Sequence, residues 1–219
     1  MRKFLIATMG AIFIIFAMAI PGQSHSLGYV EKQLTGAGKF FQKLDKKAPD
    51  FELYDIDGNQ VTLKSFVGKI IVLYFTKADC LSKCPAQTQN MAEIQSMVNL
   101  SGMGDIVQFV AIVTDAQKDT PEVLRQFTTD GEISPSNWVF AISTPGGSAA
   151  MKQLMTAYGS TNTRPDQSDG VKNVVTHVID TKGHLRAKFS GLNFQPTEFV
   201  IYLNALVNFG LGVSDGHKE

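Results

Sequence analysis

Two stretches constrain the fold of this chain more than any other: "IIVLYF" at 70–75 and "IVQFVAIV" at 106–113. The first is a continuous apolar run and the second is apolar but for Gln108; both are rich in β-branched and aromatic residues and only strand-sized in length. Such a run suits a strand buried on both faces, the interior of a sheet with helices packed against it. Between them, residues 85–100 place Met91, Ile94, Met97 and Val98 on one helical face. Thr120-Pro121-Glu122 then starts a second helix, with Thr120 as cap and Pro121 at the first helical position. "NWVFAIS" reads as a third strand and "GGSAAMKQLMTAYG" as a helix ending at Gly159.

A polar loop follows, "STNTRPDQSDGVKN", longer than ordinary connections. "VVTHVID" and "HLRAKFSG" form a hairpin around Thr181-Lys182-Gly183, and "PTEFVIYLNALVNF" is a closing helix. Upstream, alternating apolar residues in "APDFELYDIDGNQVTL" flank Asp57-Gly58-Asn59, an earlier hairpin. This order predicts an α/β domain with a mixed central β-sheet flanked by helices. A cysteine pair directly after the first buried strand makes the arrangement thioredoxin-like.

At 219 residues the chain suits one domain with extensions. The domain is expected at 47–210, with a tether at 27–46 and a tail at 211–219. Residues 1–26 begin with Arg2 and Lys3, continue as an apolar run of 17 residues from Phe4 to Ile20, and break at Pro21-Gly22. That pattern is an export signal, and its apolar run also reaches the lower limit for a membrane span. Cleavage and retention as an anchor both fit. Either way the domain is expected in the periplasm or on the extracytoplasmic face of the inner membrane. Lys+Arg and Asp+Glu balance at 20 each, which argues against a nucleic-acid partner.

The only two cysteines, Cys80 and Cys84, stand in "YFTKADCLSKCPAQTQN" where strand gives way to helix. As a structural bridge they would close a very short loop and remove little unfolded-state entropy. Placed one helical turn apart near a helix N-terminus, they share a face, and the unpaired N–H groups favour thiolate. Two thiolates so placed can exchange disulfides or hold Cu(I), and the residues alone leave both open. A peroxidase reading requires Pro and Thr at set distances before the reactive cysteine. Leu73 and Lys77, or Lys77 and Leu81, stand there instead.

Three features resemble the SCO/SenC family, copper-handling thioredoxin-fold proteins tied to cytochrome oxidase assembly. They are Cys80-x3-Cys84-Pro85 after an apolar strand, "VAIVTDAQKDTPEVLRQF" with Asp115 and Asp119, and the "VIDTKGHLRAKF" hairpin. The similarity spans roughly residues 47–208. It implies copper as the metal, a respiratory oxidase copper-site subunit or another cysteine-bearing exported protein as partner, and Cys80 and Cys84 as working residues. Family members add a histidine before the final hairpin. An ungapped count back from Gly183 puts Lys172 in its place, and His177 lies five residues further on. If both were in one strand, positions 172 and 177 would point to opposite faces.

The metal set expected from this resemblance is Cys80, Cys84 and, as a displaced third ligand, His177. The other reading is a thiol–disulfide oxidoreductase without stable copper binding. His177 in a buried strand also fits a hydrogen-bonded core histidine. His184 reads as a surface residue after the turn. Asp119 is expected to help start the helix at Thr120, and Asp115 to face the cysteines from the carboxyl end of its strand. "KFFQKL" is expected to pack against the domain.

Overall fold

The computed structural model describes residues 26–76, 85–130, 133–143, 147–160, 174–191 and 194–212. Its strands are β1 (Phe41–Lys47), β2 (Glu52–Tyr54), β3 (Gln60–Thr62), β4 (Ile70–Thr76), β5 (Val107–Val113), β6 (Trp138–Ile142), β7 (Val175–Ile179) and β8 (His184–Ser190). Its helices are α1 (Leu27–Ala37), α2 (Pro85–Leu100), α3 (Pro121–Asp130), α4 (Ser148–Tyr158) and α5 (Pro196–Gly210). The strands form one mixed sheet in the order β1-β8-β7-β4-β5-β6-β2-β3. β4, β5 and β6 run parallel, and β7 pairs antiparallel with both β4 and β8.

The apolar runs hold the centre as the sequence requires. Every residue of β5 is buried, and β4 is buried except for partly covered Phe75. On one face Val72, Tyr74, Phe109 and Ala111 meet Met91, Ile94 and Val98 of α2, Leu124 of α3 and Phe199, Tyr202 and Leu203 of α5. On the other face Leu73, Val110 and Ile112 meet Met151 and Tyr158 of α4 together with Phe51, Leu53 and Val61 of the β2–β3 hairpin. Both hairpins turn on glycines with positive φ, Gly58 at 84° and Gly183 at 81°. Pro121 opens α3, with the Thr120 hydroxyl 3.5 Å from the Val123 N–H.

Residues 27–46 differ from the expected tether. α1 buries Leu27, Val30 and Leu34 in the first core, and β1 adds a strand to the sheet edge against β8. Glu31, buried on α1, bonds to Lys43 of β1 at 2.6 Å. The segment is therefore part of the packed body, and the aromatic pair near its end does pack inward: Phe41 joins the core and Phe40 lies against it. Residues 1–25 and 213–219 lie outside the described residues, and among those described no helix is long and apolar enough to cross a membrane.

Candidate thiol and metal site

β4 ends at Thr76, and its carbonyl is held to the end of β5 by two bonds from Thr114, the N–H at 2.9 Å and the hydroxyl at 3.0 Å. Three residues separate Thr76 from Cys80, and Pro85 begins α2 directly after Cys84. Cys80, Cys84 and Lys172 themselves lie outside the described residues. The elements around them place the motif between the carboxyl end of the most buried parallel strand pair and a helix N-terminus. That is where open α/β sheets carry their chemistry. Val175 starts β7 at this same end, since Thr176 pairs with Tyr74. In sequence Lys172 stands three positions before Val175, the first residue of β7.

Two carboxylates follow β5 at this end. Asp115 is half-exposed and stands 3.9 Å from Lys118. Asp119 donates its N–H to the Asp115 carbonyl at 3.0 Å and is fully buried. Asp119 stands two residues before Pro121, where the helix begins, so its burial is compatible with a part in starting the helix.

His177 is fully buried in β7, opposite Leu73 of β4 and Lys188 of β8. Its ring packs edge-on against Tyr158 (5.1 Å between centroids) and Phe75 (6.3 Å). Nε2 shares a 2.8 Å hydrogen bond with the Ser160 hydroxyl, and Nδ1 is buried with no hydrogen-bond partner among the described residues. Burial first, then the Lys188 and Lys46 ammonium groups, hold its pKa down to about 3. The imidazole is therefore neutral throughout the physiological range. The Tyr158 hydroxyl donates to the Pro49 carbonyl at 2.8 Å, and burial raises its pKa.

This pocket lies on the α4 face, whereas α2, which starts at the cysteine motif, packs on the opposite face. Along the strand, His177 sits three residues back from the level of Thr76, about 10 Å at strand spacing. Its setting is that of a hydrogen-bonded core histidine. Sequence reasoning missed Ser160, Tyr158 and Lys188 as the residues that create it, because they come from the end of α4 and from β8 rather than from β7 itself. His184 is exposed as expected, 3.3 Å from Asp45. Among the described residues no group of three or more His, Cys, Asp or Glu could hold a metal ion.

Comparison with known proteins gives a consistent relationship. The family model described as SCO1/SenC matches residues 41–206. An SCO2-like protein of Rickettsia felis is 27% identical over 123 residues, 56% of this chain and 55% of that protein. The chain spans about half the length of that curated relative and of others it matches. A SCO1/SenC family lipoprotein from Bacillus anthracis has a similar structure, with a TM-score of 0.63 at 26% identity over 76% of this chain and 98% of that one. Yeast Sco1 with copper bound shares the fold at a TM-score of 0.55 and 21% identity, over 71% of this chain and 84% of that one.

Proposed function

The chain belongs to the SCO1/SenC family and has its thioredoxin-like fold, and from that premise we propose that it handles copper and thiol redox state during assembly of a cytochrome c oxidase copper site. The work falls to Cys80 and Cys84, on the extracytoplasmic side of the membrane. The observation that carries this reading is the position of the C-x3-C-P motif. It lies inside the matched span and at the junction of the buried strand β4 with the N-terminus of α2. A helix N-terminus lowers thiol pKa values, and two soft thiolates a helical turn apart suit Cu(I) as cargo. The partner would be the oxidase subunit that receives the copper, or another exported protein with a cysteine pair.

A second reading has its own observation. Lys172 occupies the place of the family histidine in the ungapped count, and His177 has one ring nitrogen committed to Ser160 in a closed pocket. A cysteine pair without a third ligand is better suited to exchange disulfides with a partner than to hold the metal stably. For His177 to complete a copper site, its ring would have to leave Ser160 and turn toward the strand end.

One titration separates the two. The full chain in mild detergent, reduced and free of oxygen, is titrated with Cu(I) against a chromogenic competitor, beside the Cys80→Ser/Cys84→Ser double variant. Tight one-to-one binding absent from the double variant establishes the carrier, and His177→Ala then reports on the third ligand. Binding no stronger than in the double variant removes copper carriage and leaves a thiol–disulfide oxidoreductase.

A further inference from the structure

The described residues include seven exposed large apolar side chains, and five of them gather at the end of the molecule opposite the cysteine motif: Tyr29 (50% exposed), Val67 (77%), Leu100 (85%), Phe209 (57%) and Leu211 (68%). Topology places them there. Val67 precedes β4 at the strand's amino end, and Leu100 ends the helix that returns from the carboxyl end. α1 begins at this end and runs toward the start of β1, where Phe41 pairs with Phe189 near the end of β8. α5 finishes here, with Gly210 beside Thr181 of the β7–β8 turn. The Gly68 N–H donates to the Thr181 carbonyl at 3.3 Å, which ties Val67 to the same turn. Of the other two exposed apolar residues, Val123 lies at the start of α3 on the cysteine side and Ile201 in the middle of α5.

Basic groups border this patch. Lys47, Lys64 and Lys182 line one shallow concavity of about 210 Å³ together with Val67, Asp50 and Asp180, and the Arg186 guanidinium, paired with Asp45, stacks 5.4 Å over the Phe209 ring. Scattered apolar and aromatic tips among lysines suit an interfacial contact with lipid better than a flat protein interface. The chain supplies the reason for choosing a membrane. The apolar run Phe4–Ile20 joins the body at Ser26, which caps α1 at this same end. The five residues between, 21–25, span at most about 18 Å fully extended.

We propose that this pole rests on a bilayer containing anionic lipid, with Val67, Leu100 and Leu211 in the headgroup–acyl boundary, and that the cysteine end is thereby turned away from the membrane. The proposal rests on the retained-anchor form of the reading above. It gives the contact a purpose, since a thiol pair facing away from the bilayer can reach a copper site carried above the membrane surface.

The test uses the full chain in phosphatidylcholine–phosphatidylglycerol vesicles with brominated acyl chains, which quench tryptophan at the boundary. Val67→Trp, Leu100→Trp and Val123→Trp each add one emitter to the buried Trp138. The expected result is loss of most of the added emission at 67 and 100, and none at 123. Unquenched emission at 67 and 100, or equal quenching at 123, in a chain that floats with the vesicles overturns the resting pole and leaves the anchor standing. A chain that does not float with the vesicles overturns both. The unsubstituted chain provides a second readout. Relative to Lys118, and normalised to the unfolded chain, Lys64 and Lys182 should react more slowly with an amine-modifying reagent on the vesicles; equal rates count against the contact.

Discussion

The face of the sheet under α1, α2, α3 and α5 and the face under α4 are built from alternate residues of the same strands, yet they bury different chemistry. On the first, Phe189 is the hub of an aromatic cluster, with Phe199 at 4.5 Å, Phe41 and Phe194 at 5.2 Å and Tyr202 at 5.6 Å between ring centroids. On the second, the strands enclose a neutral histidine with one satisfied nitrogen and two lysines nearby. The first face holds together through apolar area and shape, terms that pH does not touch. The second face carries a polar group whose state depends on pH. A fold that needed only stability would have no use for the second arrangement, so that face is where changes should alter more than melting temperature.

The largest effect is expected on the aromatic face. Phe189→Ala removes a ring contacted from four directions and should cost about 3–5 kcal/mol, read as a shift in urea midpoint with little change in its pH dependence. A cost below about 1 kcal/mol would mean that the cluster collapses onto the gap and that this face is softer than its packing implies.

The next effect belongs to His177 and appears only in acid. Its folded pKa is lowered to about 3, from an ordinary value of 6.5. Below pH 6.5 the unfolded chain takes up a proton that the folded chain refuses, so stability falls with pH down to about 3. Between pH 6.5 and 4 the loss from this group should be about 3 kcal/mol. His177→Gln should flatten that part of the stability–pH curve. If the two curves stay parallel, His177 is protonated in the fold and the pocket is more open than described.

Ser160→Ala is expected to cost about 1–3 kcal/mol at neutral pH, because it leaves both ring nitrogens of a fully buried imidazole without partners among the described residues. It also bears on the metal question. If the free chain binds Cu(I) through His177, releasing Nε2 from Ser160 should strengthen that binding; if the histidine is only structural, copper affinity should not follow the stability change.

The contrast between the faces also explains what the sequence discloses. β4 and β5 are legible because a strand covered on both sides must be apolar at nearly every position; the buried exceptions are Thr76 at the end of β4 and Gln108, whose amide donates to the Phe109 carbonyl. The hairpins at Gly58 and Gly183 and the stop at Gly159 are legible because a positive φ selects glycine. β1 is not: it lies at the sheet edge with Phe41 as its one fully buried residue, and its lysines read like a solvated linker. α1 is similarly thin in apolar residues and gains its place from α5. At the site, the C-x3-C-P motif is legible because its spacing is local: the proposed thiol pair depends on no contact from a distant element. His177 is ambiguous because a ligand and a core histidine look alike in a strand. Its partner Ser160 is 17 residues away and Lys188 arrives from the next strand. The burial of Asp119 is hidden for a related reason, since an aspartate before Thr-Pro satisfies a capping pattern whether or not it is buried.

The smallest effect sharpens the account of the second face. Gly159 ends α4 at φ 67°, its N–H donated to the carbonyls of Met155 and Thr156. A β-carbon there would stand 2.7 Å from the Lys188 Nζ, whereas one on Gly183, at φ 81°, would meet nothing within 4 Å. Both Gly→Ala changes should cost about 1 kcal/mol for the left-handed backbone. The Lys188 side chain can swing aside, so the clash adds little to that cost. Displacing its ammonium group should weaken one of the charges that hold down the His177 pKa. Gly159→Ala should therefore show a shallower acid loss than Gly183→Ala at similar neutral stability. Identical acid profiles for the two would mean that desolvation alone sets the histidine's state, and that the lysines beside the pocket serve some other purpose.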